Sequence, residues 1–380
     1  SRFKPPRRQP FPRGAPGCLR VDPPSWQPMT APIQENVPRS EEVSFNGFYK
    51  AETTLKLGER VHLDFSFFTS GCLGFLKFCC FPPCSGTCRR TLRNMTKQVP
   101  QTRVRILDAR KKEAEEGLSK REFFDTYGFV LLEHETAMSA EDWLVNSAKP
   151  LPNERDHEAF RVGTKAEKAP VRDIYAKEID CLVRDLIPGA VEVVYPRFAL
   201  RRGPGGPNNF YGLGVHQDYG VYPEDLKSIF ALKDSSDPQS VDYAEWRAKL
   251  QDGSCEGFSI INFWRPVLPM QSPVQNTPLA VCDPGTVEMD DIVPQDVYGF
   301  VPGGQHNVGV KFNAKQKWYY YPDMTKEEVL VFRQFHYDRE VSAPYSRLKT
   351  VFHTAFNHPG APQNAEQRCS SEYRIYVYWK

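Results

Sequence analysis

From residue 258 onward the chain repeats one pattern: a short run of aromatic and β-branched residues, then a break rich in Pro, Gly, Asn or Asp. The runs are 258–264, 278–282, 317–321, 329–337, 350–356 and 368–379. Such runs are short for helices and carry the chemistry of pleated strands. With 33 prolines among 380 residues, a β-rich domain with long loops is favoured over a helical bundle, because each interior proline removes a helix hydrogen bond and clashes with the preceding turn. The expected class is mainly β with flanking helices (α+β), and the close succession of strands reads as a jelly-roll sandwich.

Upstream, the periodicity changes. Residues 42–68 alternate like strands, and 102–109 does so through Val104 and Ile106. A charged helix follows from Arg110. Ser119 and Glu122 have capping-box spacing before the apolar face of Phe123, Phe124 and Tyr127, and Gly128 stops that second helix. A strand is expected over 129–133, an amphipathic helix over 173–186 and a strand over 190–200.

Three stretches stand apart. Residues 1–40 are rich in Pro and Arg with few aliphatic side chains, so burial cannot offset their ordering, and a flexible arm is expected ahead of one domain over 41–380. Residues 66–98 form a Cys-rich insertion with Cys72, Cys79, Cys80, Cys84 and Cys88. Core packing with a disulfide, a lipidated loop touching a membrane, and a zinc knot compete there; the last lacks a C-x-x-C pair and a nearby His. Residues 221–256 are a polar insertion with a short helix near 242–250, either a lid or a surface excursion.

The formal charge of +2 has no basic concentration beyond the first residues, which argues against nucleic acid as a partner. No run of 18 apolar residues predicts a transmembrane segment, and the start lacks the order of a secretory signal. A cytoplasmic protein is expected, with its dispersed cysteines reduced. The sequence is silent on oligomeric state.

Residues 214–220 read Gly-Val-His-Gln-Asp-Tyr-Gly. In a strand, residues two apart share a face, so His216 and Asp218 would converge on one point. A third ligand would complete the 2-His-1-carboxylate triad that holds Fe(II) with open positions. His353 is the candidate, because it lies in the apolar run 351–356, where an unpaired imidazole is costly to desolvate. His358 is its nearest rival. His306 reads as a loop histidine, and the second H-x-D, His336 to Asp338, is too close to His353 for intervening strands. Iron of this type needs a cosubstrate, and 2-oxoglutarate would need a cation for its distal carboxylate. Arg368 and Ser370 share strand parity and could supply a charge-assisted fork and a hydroxyl. Arg374 has the same parity and competes as anchor.

These segments, together with 262–266, 278–283, 318–322 and 107–110, resemble the fungal AsaB and CmcJ-like hydroxylase/desaturase family, to which gibberellin desaturase belongs. The resemblance runs from about residue 42 to the end and departs at the cysteine cluster and after Tyr222. It implies a double-stranded β-helix, cupin-like, using Fe(II), 2-oxoglutarate and O2 to hydroxylate, desaturate or cyclise a small-molecule substrate, releasing succinate and CO2. It also implies that His216, Asp218 and His353 hold the iron and that Arg368 and Ser370 grip the cosubstrate. Arg265, Asp283, Trp318, Tyr320 and Arg374 are further candidates for substrate contact or support of the ligands. For Arg265 the competing reading is a turn brace, and for the aromatic pair it is core. Two other functions stay open: a catalytically silent jelly-roll binding module, and a zinc hydrolase or isomerase using the same ligands. No glycine-rich nucleotide loop supports methyl transfer.

Overall fold

The computed structural model describes residues 42–56, 59–64, 94, 97–99, 101–145, 170–201, 214–230, 241–298, 304–340 and 348–380. The expected arm, the five clustered cysteines and residues 231–240 of the insertion lie outside the described residues. Everything described falls in one unit, Arg39–Lys380. In chain order the elements are β1 (Glu42–Phe45), β2 (Val61–Asp64), β3 (Thr102–Asp108), α1 (Ala109–Glu116), α2 (Lys120–Tyr127), β4 (Phe129–Glu133), α3 (Ala140–Val145), α4 (Ala176–Leu186) and β5 (Ala190–Arg201). Then come α5 (Leu226–Phe230), α6 (Tyr243–Gln251), β6 (Gly257–Pro266), β7 (Leu279–Cys282), β8 (Ile292–Tyr298), β9 (Gln305–Val310), β10 (Trp318–Tyr320), β11 (Glu328–Asp338), β12 (His353–Ala355) and β13 (Ser370–Trp379).

The fold is mainly β with helices outside the sheets, as the strand runs and helix caps predict. Local chemistry sets the helix ends. Asp108 accepts from the backbone N–H of Arg110 and Lys111 to start α1. The Ser119–Glu122 capping box starts α2, which ends at Gly128 with φ 71°, a conformation that glycine adopts without strain. A π-helical turn, Val171–Tyr175, leads into α4.

Strands pair as β1-β3-β10-β7-β12, as β4-β11-β6-β13-β5, and as β2-β8-β9. Period two gives each sheet two chemistries. In the first, Val281 and Tyr319 turn one way into the main core with Phe129 of β4, whose ring lies 5.9 Å from that of Tyr319. Ala280, Cys282, Trp318 and Tyr320 turn the other way into a second core with Phe45 and Phe48. In the second sheet, Tyr373, Ile375 and Val377 share a buried cluster with Ile179 and Val183 of α4. The opposite face of β13 carries Ser370, Glu372, Arg374, Tyr376 and Tyr378. Strands β8 and β9 were not foreseen. Their alternation is present, with Val293, Gln295 and Val297 buried, but Pro294 and the polar Gln295 hide it in β8, and Gly309 and His306 gave β9 the look of a loop.

The described part of 221–256 is no loose excursion. Ile229, Phe230, Trp246 and Leu250 form a buried cluster with Phe258, Phe335, Tyr376 and Tyr378 of the second sheet. Its first turn is pinned by Asp225, which accepts from Tyr222 N at 3.0 Å and pairs with Arg60 at 2.8 Å. Gly220 permits that approach, since a Cβ there would lie on the Asp225 carboxylate. Replacing a buried aromatic side chain by Ala costs about 3–5 kcal/mol. Phe230→Ala is expected to lose that much stability in urea unfolding, and a loss below about 1 kcal/mol would mean that this cluster does not hold α5 to the sheet.

Candidate metal centre

The H-x-D segment is held by two neighbours. His216 exchanges both backbone hydrogen bonds with His353, at 3.2 and 2.9 Å, and Gln217 exchanges both with Val308, at 2.9 and 3.0 Å. Residues 216 and 217 thereby join β12 to β9. The expected strand is only these isolated bridges and one from Gly214 to Asn46, however, and the chain bends at Asp218. The ladder stops because the Asp218 N–H goes to the side-chain oxygen of Gln334 at 3.2 Å. His216 and Asp218 still meet, since the bend brings the carboxylate between the imidazoles.

His216 Nδ1 lies 2.6 Å from the Gly214 carbonyl, which can only accept, so Nδ1 carries the hydrogen and Nε2 is left with a lone pair. That Nε2 is 3.5 Å from Asp218 Oδ1, and His353 Nε2 is 3.7 Å from Asp218 Oδ2. One ligand atom from each residue fits within 4.8 Å of the others. Asp218 and His353 are buried and His216 is partly exposed. Two imidazole nitrogens and one carboxylate oxygen this close together suit a divalent metal with open positions, Fe(II) among them. The residues therefore fit the metal that the motif implies.

Electrostatics hold two of the three candidates in the state a metal needs. Burial, then the neighbouring His216, lowers the His353 pKa to about 3, so this ring is neutral. Burial disfavours charge on Asp218, but Arg374, His216 and His353 together outweigh it and hold the carboxyl well below its ordinary range. For His216, burial opposes charge, while the Asp218 carboxylate and the Gly214 carbonyl together outweigh it and raise the pKa, so a metal competes with a proton at this ring.

Behind Asp218 runs a buried ladder of charges. Arg374 Nη2 lies 2.9 Å from Asp218 Oδ2 and contacts Glu372, whose other oxygen accepts from Arg201 Nε at 3.1 Å. Arg374 thus faces a candidate ligand. Arg201 and Glu372 had no signal beyond strand parity.

The other candidate residues fall in distinct places. Arg368 is buried just before β13, donates to the Thr277 carbonyl and sits 5.5 Å from the Trp264 ring centre. Ser370 opens β13 on the face that carries Arg374, and its hydroxyl is buried without a hydrogen-bond partner among the described residues. Arg265 donates to the His134 and Lys326 carbonyls, which ties two turns. Trp318 and Tyr320 lie in the second core, on the face of the first sheet opposite His353, and Asp283 caps the turn Pro284–Thr286. His358 meets the Tyr320 hydroxyl at 3.0 Å, and His336 meets Ser259 Oγ at 3.0 Å and stacks on Trp379. His306, read as a loop residue, is on β9 and pairs with Asp296 at 2.7 Å.

The ladder predicts an acid response. Burial opposes charge on Glu372, yet Arg374 and then Arg201 lower its pKa from 4.5 to about 2. The stability it contributes is full above its unfolded pKa and is lost as pH falls through its folded one. Urea midpoints measured from pH 5 downward are expected to fall more steeply for the wild type than for Glu372→Gln. At pH 7 the variant should be less stable by about 3–5 kcal/mol, as for other broken buried pairs. Parallel curves would remove the ladder from the account.

The profile of a family described as oxidoreductase/YMDC permease-like domain matches residues 85–378. Hydroxylase/desaturase CTB9 of Cercospora beticola is 32% identical over 132 residues, 32% of this chain and 37% of that protein. Aspirochlorine biosynthesis protein N of Aspergillus oryzae is 31% identical over 123 residues, 32% of this chain and 48% of that protein. The Fe(II)/2-oxoglutarate-dependent dioxygenase nvfI of Aspergillus novofumigatus is 33% identical over 122 residues, 32% of this chain and 41% of that protein. The chain thus spans less than half the length of these curated relatives. Two solved structures of the iron and alpha-ketoglutarate-dependent endoperoxidase NvfI share the fold, with TM-scores of 0.57 and 0.53, 21% identity, and coverage of 89% of this chain and 97% of theirs. Matched over more than three quarters of its length, the chain belongs to the oxidoreductase/YMDC permease-like domain family and is related to the fungal hydroxylase/desaturases.

Proposed function

We propose that this chain is an Fe(II)- and 2-oxoglutarate-dependent oxygenase that hydroxylates, desaturates or cyclises a small molecule, built on a double-stranded β-helix of the jelly-roll type. The observation that carries the reading is the meeting of His216, Asp218 and His353 from two distant segments, with ligand atoms within 4.8 Å of one another. A structural cluster of this kind would be a poor use of a core, because two imidazoles and a carboxylate are costly to desolvate without something to bind. The fold shared with an iron and alpha-ketoglutarate-dependent endoperoxidase supports the architecture.

In this reading His216, Asp218 and His353 hold the iron, and Arg374 keeps Asp218 ionised while occupying one side of its carboxylate. Arg368 and Ser370 take the far carboxylate of 2-oxoglutarate. The unpartnered Ser370 hydroxyl supports this, since a buried hydroxyl without a hydrogen bond is expensive. The α5–α6 cluster of 221–256 covers the adjoining part of the same sheet face and excludes water there. Iron, when bound, supplies the oxidising power that couples decarboxylation of 2-oxoglutarate by O2 to removal of hydrogen from an unactivated carbon. The scattering of the other cysteines along the sequence, away from the 72–88 cluster, suits a cytoplasmic location. No described helix is long and apolar enough to cross a membrane.

Anaerobic addition of Fe(II) and 2-oxoglutarate is expected to give a visible charge-transfer band, and O2 should then release succinate. His216→Ala should abolish both. Arg368→Ala should weaken 2-oxoglutarate about 10–100-fold, the worth of one charge-assisted hydrogen-bond site, with iron affinity kept. A folded chain that binds neither iron nor cosubstrate would instead be a binding module, and zinc-dependent hydrolysis untouched by Arg368→Ala would favour the hydrolase reading.

A further inference from the structure

Strand β11 slips register against β6 between Arg333 and Phe335, and the residue left over is Gln334. A bulge re-aims one side chain away from the alternation of its strand. Here the re-aimed side chain is fully buried and reaches two residues of the candidate centre, while the main chain holds a third beside them. Its amide oxygen accepts from Asp218 N at 3.2 Å, its amide nitrogen lies 3.3 Å from His353 Nδ1, and its main-chain carbonyl accepts from the Gln217 side chain.

Donor and acceptor roles fix what this contact does. The Asp218 N–H can only donate, so the amide oxygen must face it, and the amide nitrogen is left facing the His353 ring. An NH2 donor opposite Nδ1 requires Nδ1 to accept, which puts the ring hydrogen of the metal-free chain on Nε2, toward Asp218. A metal on Nε2 reverses this: the hydrogen then sits on Nδ1 and needs an acceptor, as ligand imidazoles ordinarily have. The same amide can serve only by presenting its oxygen to the ring. His216 has no such conflict, because its Nδ1 faces a carbonyl.

We infer that Gln334 is a positioning residue whose amide, delivered by the β11 bulge, links the Asp218 backbone to the His353 ring and fixes the ring's tautomer, with hydrogen on Nε2 until a metal displaces it and the amide turns its oxygen to Nδ1. This rests on the oxygenase reading only in assuming a metal at the three ligands. It makes Gln334 a residue of the centre that neither the H-x-D motif nor the third histidine points to.

The test uses the full chain labelled with 15N-histidine, with Zn(II) as a diamagnetic probe and Co(II) for affinity. In the wild type, the His353 ring signals are expected to show hydrogen on Nε2 without metal and on Nδ1 with Zn(II). Gln334→Leu should lose the fixed tautomer in the metal-free state and bind Co(II) at least about tenfold more weakly, the usual effect of removing a partner behind a ligand. Gln334→Glu offers one oxygen to each donor, so it should keep the Nδ1–H form in both states and bind Co(II) at least as well as the wild type. The NMR measurement on the wild type stands even if the Leu variant fails to fold. Hydrogen on Nδ1 in the metal-free wild type, or Co(II) affinity in a folded Leu variant within about threefold of the wild type, would overturn the inference. Tight Co(II) binding by the wild type together with either of those results would leave the oxygenase reading standing, whereas a wild type that binds no metal would remove both.

Discussion

The centre depends on one pair of backbone hydrogen bonds, those exchanged by His216 and His353. In an antiparallel ladder such an exchange fixes two residues opposite one another and leaves their side chains on the same face. Two imidazoles far apart in sequence become neighbours, with ring centres 4.4 Å apart, before any metal is considered. Gln217 then turns to the other side and pairs with Val308, so the segment is clamped from both edges. Asp218 can leave the ladder without loosening His216.

The same bridge explains why the two faces of the first sheet matter. His353 pairs with Val281 on the side that faces the second sheet, whereas Trp318 and Tyr320 look into the separate core of Phe45 and Phe48. Counting residues along β10 could not tell these sides apart, because both are buried and aromatic. Near-continuous burial on both faces removes the alternation by which a half-exposed strand declares its orientation. For that reason Trp318 and Tyr320 were reasonable pocket residues in sequence and are core residues of another cluster in space.

What could be read from the chain alone was whatever local chemistry determines. The Ser119–Glu122 cap, Gly128, the strand 129–133 and the runs of β6, β7, β11 and β13 need only neighbours in sequence. The three candidate ligands could be named because the H-x-D spacing offers two of them and an imidazole in the run 351–356 has no cheap alternative there. What stayed hidden was set by pairing at a distance. The bulge at Gln334 exists only against β6, the partnership of Arg201 with Glu372 only across β5 and β13, and the strand character of 305–310 only once β8 lies beside it. Gln334 carried no signal, since a glutamine in an apolar run is equally well a polar edge residue.

The charge ladder gives the centre a further property. Asp218, Arg374, Glu372 and Arg201 alternate in sign and sum to zero, so as a group they do not offer the excess negative charge that would hold a dication by attraction alone. Buried charges of one sign left uncompensated are costly. A divalent metal entering this site is therefore best balanced by an anion arriving with it, and a dicarboxylate cosubstrate is such an anion. Because coupling between two ligands is reciprocal, the metal must strengthen the dicarboxylate as much as the dicarboxylate strengthens the metal. Arg374 fits that balance: by neutralising one side of Asp218 it leaves the ladder ionised yet uncharged as a group, and in the proposed reading leaves the final compensation to the cosubstrate.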